Sequence, residues 1–366
     1  MKITGKILVL TLAFLTLLCS CNNKKTKDKA VDNLVNGTGA DITEKVTINP
    51  DDKAVFENTN LKDVIANTLK KSPDELTYKD LADITGISIS YYAERIGDTN
   101  EYRDVWTIRA ERTGFNEVFD IYYNTSKEKR ESLESPLDYC FTANFDNFDN
   151  YNDFKILTNL KDLSLSSEYT VIDINPLEYI KDISTLESLS IYNYIVPDLA
   201  YVEKLKNLRS FSIGINRRNI ENAEAVDFIE DLSPLKSLTK LEGLYIYGSI
   251  VSDLSPIAEL PNLSIISVTD GALGDISPVA KMKNLTSVTF DYNGIEDVSP
   301  LVALPKLETI NLDYNYIRDL TPFENLNPDI IRYVSVDMNP INNDLPLRHL
   351  GEDKVNLGYD VSWDEN

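Results

Sequence analysis

The sequence predicts an α/β solenoid, an arc of stacked repeats whose short strands form a parallel β-sheet on the concave side. The first observation is a pair of large apolar residues, separated by one position, that recurs at intervals as regular as 22 residues. The second is that further aliphatic residues lie three and six positions before several of these pairs. The pairs are Leu163/Leu165, Leu189/Ile191, Phe211/Ile213, Leu244/Ile246, Ile266/Val268, Val288/Phe290, Ile310/Leu312 and Val334/Val336.

The alternation within each pair explains why one repeat cannot fold alone. Side chains in a strand point alternately to opposite faces, so both apolar residues lie on one face and need a neighbour to cover them. Stacked repeats meet this need by sharing one continuous core. We therefore place the repeats at residues 156–345, with about 11 additional residues looping out near 217–227.

A second motif predicts the turns on the convex side. Aspartate, an aliphatic residue, serine or threonine, and proline follow one another once in each of five repeats. Aspartate can accept hydrogen bonds from amides at the start of a helical turn, and proline is tolerated there. Turn formation explains both residue types better than a ligand site made of five aspartates. The motifs are Asp231–Pro234, Asp253–Pro256, Asp275–Pro278, Asp297–Pro300 and Asp319–Pro322.

Several repeats also carry asparagine five positions after the first residue of the pair, at Asn216, Asn293, Asn315 and Asn339. An amide has the donors and the acceptor that a backbone bend needs. Together with the leucine spacing and the Asp-aliphatic-Ser-Pro turns, this pattern resembles the leucine-rich repeats of the internalins and related bacterial proteins. The resemblance covers residues 156–345. It implies a binding protein whose concave face engages a protein ligand, and it identifies no particular ligand.

The N-terminus has the features of an export signal. Lys2 and Lys6 precede an apolar run that is too short to span a bilayer comfortably. The following Leu18-Cys19-Ser20-Cys21 resembles a bacterial lipobox, with Cys19 as a less usual middle residue. We expect residues 1–20 to be removed and Cys21 to be lipidated, which places the chain in a bacterial envelope as a palmitate-bearing, membrane-anchored protein. An ordinary secretory signal is the alternative.

Residues 21–50 are polar and predict a disordered tether. We place an N-terminal cap at residues 51–155, with a helix near 61–69, a capping box at Ser72-Pro73-Asp74-Glu75 and a first strand near 84–89. Within this cap, residues 105–110 and 118–123 have strand-like patterns and predict a hairpin-like insertion.

At the other end, residues 346–366 predict a C-terminal β cap. Val355, Leu357, Tyr359, Val361 and Trp363 alternate with smaller or polar residues. That alternation predicts a one-sided strand that covers the last repeat. Packing in the cap explains Trp363 better than a role as a partner anchor does.

Composition argues against several functions. The formal net charge of −23 disfavours nucleic acid as a partner. His349 is the single histidine, and neither a catalytic triad nor a zinc motif is evident around it. Cys140 is the one cysteine outside the signal and lipobox, so no internal disulfide is expected. We predict no cofactor, no metal and no enzymatic activity, with a hydrolase of unrecognised site as a remote alternative.

The solvent-facing strand positions supply the candidate binding site. Tyrosines lie along them in the first half of the repeats, and three consecutive repeats carry aspartate just after the second residue of the pair. Tyrosine is an efficient binding residue, and aspartate can pair with cations. We predict a concave site for a basic or polar protein segment, and the alternatives are an ordinary solvated surface or a structural, cell-wall-associated protein. The site residues are Tyr192, Tyr245, Tyr247, Asp291, Tyr292, Asp313, Tyr314, Tyr316 and Asp337.

Overall fold

The computed structural model of the 366-residue chain describes residues 49–95, 102–112, 151–168, 171–217 and 228–358. These residues belong to one compact unit that covers 48–366. The signal and tether, Cys21, Cys140, the strand expected at 118–123 and the last part of the C-terminal cap lie outside the described residues.

The repeats form an open sheet of 11 strands, in the order β11-β10-β9-β8-β7-β6-β5-β4-β3-β1-β2. All neighbours pair in parallel except β1 and β2. The solenoid predicted from the sequence is confirmed. The strands are β1 (Ile84–Arg95), β2 (Tyr102–Arg112), β3 (Asp162–Ser167), β4 (Ser188–Tyr192), β5 (Ser210–Gly214), β6 (Gly243–Tyr247), β7 (Ile265–Thr269), β8 (Ser287–Thr289), β9 (Thr309–Asn311), β10 (Tyr333–Ser335) and β11 (Val355–Asn356).

The strand register aligns the apolar pairs in two columns. Leu163 pairs with Leu189, which pairs with Phe211, and the same position continues to Val334. Every member of these pairs is buried, with at most 3% of its surface exposed. One continuous core therefore runs along the whole stack, as the repeat spacing predicted.

The aspartate motifs form the turns on the convex side. In each of the five, the aspartate Oδ1 accepts the backbone N–H two residues later, at 2.7–2.8 Å. A 3₁₀ helix begins at that serine or threonine, with proline in its first turn. The apolar residue after the proline is fully buried under the sheet. These helices are Ser233–Ser237, Ser255–Ile257, Ser277–Lys281, Ser299–Ala303 and Thr321–Asn325.

Within the part of the chain that the structure describes, three α-helices precede or accompany the first repeats: α1 (Thr59–Leu69), α2 (Tyr78–Leu81) and α3 (Leu177–Ile180). The capping box expected at Ser72 is absent, because the Ser72 side chain makes no cap hydrogen bond. The box instead begins α2, where Thr77 and Asp80 exchange side-chain and backbone bonds. The spacing of three residues is the same, so the sequence pattern alone did not separate the two sites.

The start of α1 is held by a residue far along the chain. Both carboxylate oxygens of Asp153 accept backbone amides, from Glu57 at 2.9 Å and Asn58 at 2.7 Å. Asp153 is almost fully buried, and desolvation raises its pKa above the usual value. This contact joins the N-terminal helix to the first convex turn, the 3₁₀ helix Asn152–Ile156.

One strand of the predicted hairpin-like insertion is present in the described residues. Residues 105–110 lie in β2, which pairs with β1, and the second predicted strand, 118–123, lies outside the described residues. β1 also pairs in parallel with β3, so the expected first strand near 84–89 is part of the main sheet.

The C-terminal end is covered by short elements. β11 adds two residues to the sheet instead of the longer strand expected from the alternation, although Leu357 is also buried. The 3₁₀ helices Leu345–Leu350 and Glu352–Lys354 precede it. His349 lies in the first of them, with its ring nitrogens 3.0 Å from the Pro346 carbonyl oxygen and 2.9 Å from that of Leu326. This histidine therefore has a place in the cap.

Candidate functional site

The concave face of the sheet is lined mainly by small hydroxyl side chains. They occupy the position between the two core residues of each strand, whose side chain lies on the concave side. A large side chain at this position would project from the concave face. From β3 to β10 this position carries Ser164, Ser190, Ser212, Tyr245, Ser267, Thr289, Asn311 and Ser335. Tyr245 is the one aromatic residue in this row, and 37% of its surface is exposed. Its ring lies against Gly243 of the same strand.

Tyr192 and Tyr247 form a second aromatic feature beside this row. They belong to β4 and β6, and Gly214 of β5 lies between them in the register. The rings lean together over the glycine, with centroids 6.1 Å apart. Any Cβ at Gly214 would approach the Cβ of Tyr247 to 2.8 Å, so glycine is needed there. Partial burial, with the Tyr247 hydroxyl adding to it, raises the pKa of Tyr192.

The three predicted aspartates, Asp291, Asp313 and Asp337, follow Tyr192 and Tyr247 at the same repeat position over the last repeats. We call these three residues the aspartate row. The Oδ1 of Asp291 accepts the backbone N–H of Asp313 at 3.0 Å, and the Oδ1 of Asp313 accepts that of Asp337 at 2.8 Å. Asp313 also accepts a hydrogen bond from the Ser335 hydroxyl, at 2.5 Å. Asp291 and Asp313 thus each supply an acceptor to the next repeat, and these charge-assisted bonds offset the mutual repulsion of the acids.

Asp291 is the most perturbed member of the row. Burial raises its pKa to about 6, with repulsion from Asp313 adding to the effect and the accepted amide opposing it. The carboxylate is thus ionised at neutral pH but is poorly solvated. A cation that reached it would relieve part of this desolvation.

Asparagines hold the turn that follows the strands. The Asn315 side-chain amide donates to the carbonyl oxygens of Phe290, Leu312 and Asp313, and its Oδ1 accepts the Ile295 amide at 3.1 Å. Asn293 and Asn339 make equivalent contacts. These bonds confirm the backbone role that the sequence predicted for the asparagines.

Asn193 holds the turn in the repeat of β4, where the position five residues after the first core residue is occupied by Tyr194. Its amide donates to the Ser167 carbonyl at 2.7 Å, and its Oδ1 accepts the Asn216 amide at 2.7 Å. The asparagine is displaced by one residue. Alignment on a fixed count from the strand pair therefore missed it.

The residue before each of these asparagine positions adopts a left-handed backbone. Tyr292 and Tyr314 have φ of 55° and 57°, and Met338 has φ of 53°. This region is unusual for bulky side chains. All three side chains point to solvent, with 41–61% of each surface exposed. The same position carries Gly248 and Asp270 in the two preceding repeats.

The two tyrosines form a stacked pair. The ring centroids of Tyr292 and Tyr314 are 4.1 Å apart, and the planes differ by 10°. Tyr316 is more exposed still, at 62%, and lies two residues further along the turn. These three tyrosines therefore line the edge beyond the strand ends, next to the aspartate row. We call the row Asp270, Tyr292, Tyr314 and Met338 the ledge.

Two residues of this edge were missed by the sequence analysis. Met338 holds the same repeat position as Tyr292 and Tyr314, so a count from the strand pair could have found it. Arg217 had no such signal. It lies two repeats away, yet its guanidinium donates to the Asp270 carbonyl oxygen and pairs with the Asp270 carboxylate at 3.2 Å. The Arg217 guanidinium carbon also lies 5.7 Å from the Phe228 ring centroid.

The opposite edge of the sheet, where the strands begin, is electrostatically different. Lys161 pairs with Glu187 at 2.9 Å, and Arg209 pairs with Glu242 at 2.5 Å. Opposite charges alternate there, so the chain neutralises that edge itself. The aspartate row has no such partners among its own strand neighbours.

Other kinds of site find no support within the part of the chain that the structure describes. No group of three or more potential ligands there could hold a metal ion. In the same residues, no helix combines the length and apolar character that a membrane crossing requires.

Comparison with known proteins agrees with this architecture. A profile described as leucine-rich repeats, two copies, matches residues 283–325. These residues are leucine-rich repeats. The fold of the chain is similar to that of an internalin (inlF) from Listeria monocytogenes, with a TM-score of 0.55 and 23% identity over 86% of this chain and 73% of that one. At this identity the likeness shows the fold alone.

Two further solved structures match the chain with lower TM-scores. A second internalin of Listeria monocytogenes has a TM-score of 0.45 and 19% identity, over 82% of this chain and 94% of that one. A leucine-rich repeat protein of Leptospira interrogans has a TM-score of 0.42 and 20% identity, over 57% of each chain. A search of curated proteins finds no match to the chain.

Proposed function

We propose that this leucine-rich repeat protein is a lipid-anchored, extracytoplasmic recognition module of a bacterial cell envelope, an adhesin or a component of an envelope complex. It binds an extended protein or peptide segment, basic or polar in character, along its concave face. The observation that carries the proposal is one continuous solvent-facing surface on which Tyr192, Tyr245 and Tyr247 lead into the aspartate row.

The length of this surface fits an extended segment. Six strand steps separate Tyr192 from Asp337, and neighbouring strands lie about 4.8 Å apart, so the row is about 29 Å long. An extended chain rises about 3.3 Å per residue, so about nine residues match that length. A concave site of this size favours a polymer over a small molecule.

The chemistry of the surface supports a basic or polar ligand. The tyrosines offer apolar area together with a hydroxyl, and they lose little conformational entropy on binding. The aspartates supply negative charge that the neighbouring strands do not neutralise. The similarity to internalins is consistent with a binding role, and it brings no partner with it.

The binding experiment is affinity capture with the full chain, purified in mild detergent. The test variant replaces Asp291, Asp313 and Asp337 by asparagine, because an amide oxygen can still accept the neighbouring backbone N–H while the charge is lost. The matched control replaces three exposed convex acids, Glu203, Glu259 and Glu324, by glutamine. We expect the captured partner to be lost from the test variant and retained by the control. An identical set of captured proteins for both variants would count against the concave site.

The anchoring experiment concerns Cys21. A bacterial cell that expresses the full chain is fed an alkyne analogue of palmitate, and the label is followed on the protein. We expect labelling of the wild type and membrane sedimentation, both lost in Cys21→Ala. An unlabelled wild-type chain recovered in the soluble fraction would point instead to an ordinary secretory signal.

A further inference from the structure

The ledge already binds one guanidinium group of the chain itself. Arg217 reaches across to Asp270, whose position in its repeat is the one that Tyr292 and Tyr314 hold in the next two. The arginine bonds both the side chain and the carbonyl oxygen there. This contact shows which chemistry the edge accepts at its β7 end.

Beyond Asp270 the ledge changes from a carboxylate to aromatic faces. The backbone N–H groups of Asp270, Tyr292 and Tyr314 each donate to the carbonyl oxygen of the aspartate one repeat further on, at 2.9–3.1 Å. The ledge therefore keeps the repeat spacing and runs directly beside the aspartate row. The ledge backbone therefore adjoins that of the aspartate row over three repeats, and the stacked Tyr292 and Tyr314 rings lie within this stretch.

The charge around the ledge is one-sided. In the four stretches 265–275, 287–297, 309–319 and 333–344, the sequence has nine aspartates or glutamates and one basic residue, Arg318. Five of these acids form the convex turns or flank them, while Asp270, Asp291, Asp313 and Asp337 belong to the ledge and its neighbouring row. A ligand for this edge needs positive charge together with a surface that can stack.

We propose that the ledge binds arginine side chains of the partner segment, with each guanidinium stacked on the Tyr292–Tyr314 pair and hydrogen-bonded to the carboxylates of the aspartate row. Guanidinium is planar, stacks on aromatic faces and pairs with carboxylates through two parallel bonds, whereas the lysine ammonium is a strongly hydrated point charge. Arginine is therefore bound better than lysine. This inference rests on the proposed concave-face function and specifies its partner chemistry.

The test uses two capped hexapeptides, one of alternating serine and arginine and one of alternating serine and lysine. Their binding to the full chain in detergent is measured by calorimetry at low salt and at physiological salt. We expect the arginine peptide to bind roughly 2- to 5-fold more tightly than the lysine peptide, since an exposed cation–π contact has about that effect. The preference persists when salt screens the long-range attraction.

The ring variants keep the charge of the protein unchanged. Tyr292→Asn and Tyr314→Asn remove one ring each, and asparagine tolerates the left-handed backbone, so both variants fold. The matched control is Tyr333→Asn, an exposed tyrosine at the start of β10. We expect each ledge variant to weaken arginine-peptide binding roughly 2- to 5-fold and to erase the preference over lysine. The control leaves both unchanged.

Several outcomes overturn the inference. Equal binding of the two peptides, insensitive to Tyr314→Asn, shows general charge attraction only. Absence of binding to either peptide also overturns the inference. If a chito-oligosaccharide binds instead, and this binding is lost in Tyr314→Asn, the ledge is a sugar platform. If any of these results is obtained but a partner is still captured through the aspartate row, only the arginine inference fails and the proposed function stands. If the arginine peptide binds as expected but no partner is captured, only the proposed function fails.

Discussion

Asn315 provides the sharpest test of how the stack is held together. Its side chain is 4% exposed and joins two neighbouring repeats, because its bonds reach Phe290 and Ile295 in the preceding repeat and Leu312 within its own. The two hydrogens of the Asn315 amide are shared among three carbonyl oxygens, so Asn315→Ala removes the equivalent of two donated bonds and one accepted bond. At about 1 kcal/mol for each net hydrogen bond, the loss is about 3 kcal/mol, and buried groups left unsatisfied add to it.

The assay is urea unfolding of the full chain, followed by circular dichroism, with hydrogen exchange to locate the affected repeats. Asn284 offers a matched control, since its side chain makes only exposed bonds: its amide donates to the Pro261 carbonyl at 2.7 Å, and its Oδ1 accepts the Lys306 ammonium at 2.7 Å. Asn284→Ala should cost less than about 1 kcal/mol. Because repeats are stabilised by their neighbours, faster exchange in Asn315→Ala should concentrate in β8 to β10. Equal destabilisation by the two variants would refute the account of the asparagine row.

Three further predictions follow from individual contacts. Because burial raises the pKa of Asp291 to about 6, the stability that its neutral form contributes below about pH 4 is lost as pH rises through 6. Between pH 4 and pH 7, the free energy of unfolding of Asp291→Asn should therefore rise by about 1 kcal/mol relative to that of the wild type, after allowance for solvent screening. Urea unfolding at several pH values measures this, and a pH-independent difference would contradict it. Asp153→Ala removes the acceptor of two amides, including that of Asn58, and should cost about 2 kcal/mol with faster hydrogen exchange in α1. Gly248→Ala places a Cβ 1.9 Å from a carbonyl oxygen at a φ of 67°, so its melting temperature should fall well below that of Gly274→Ala, where the nearest atom is 3.8 Å away.

The repeats were predictable because their signal is local and recurs. A core residue in a short strand must alternate with a solvent-facing one, and this period needs no knowledge of distant residues. The convex turns were predictable for the same reason, since an aspartate that accepts the amide two residues later acts within its own turn. The prediction of the capping box failed because two neighbouring segments have the same spacing of residues. That spacing does not contain the contacts that place the box at Thr77 instead of Ser72.

The candidate site was predictable only in part. Counting from the strand pairs placed Asp291, Asp313 and Asp337 in one row, and the strand register bears out that alignment. Their hydrogen bonds to the next repeat could not be predicted from this spacing, because the bonds depend on the distance between a short carboxylate side chain and the backbone of the neighbouring repeat. The same limit applies to Arg217, whose partner Asp270 is 53 positions away.

The sequence by itself determined that this chain is a stack of repeats, which residues form the core and which ones line the concave face. Those properties follow from the period of apolar residues, which each repeat carries in its own letters. Tertiary structure alone decided that the aspartates serve as backbone acceptors, that two tyrosines stack on a left-handed edge and that an arginine reaches across two repeats. These are contacts between different repeats, and their geometry exists only once the repeats are packed at their fixed spacing.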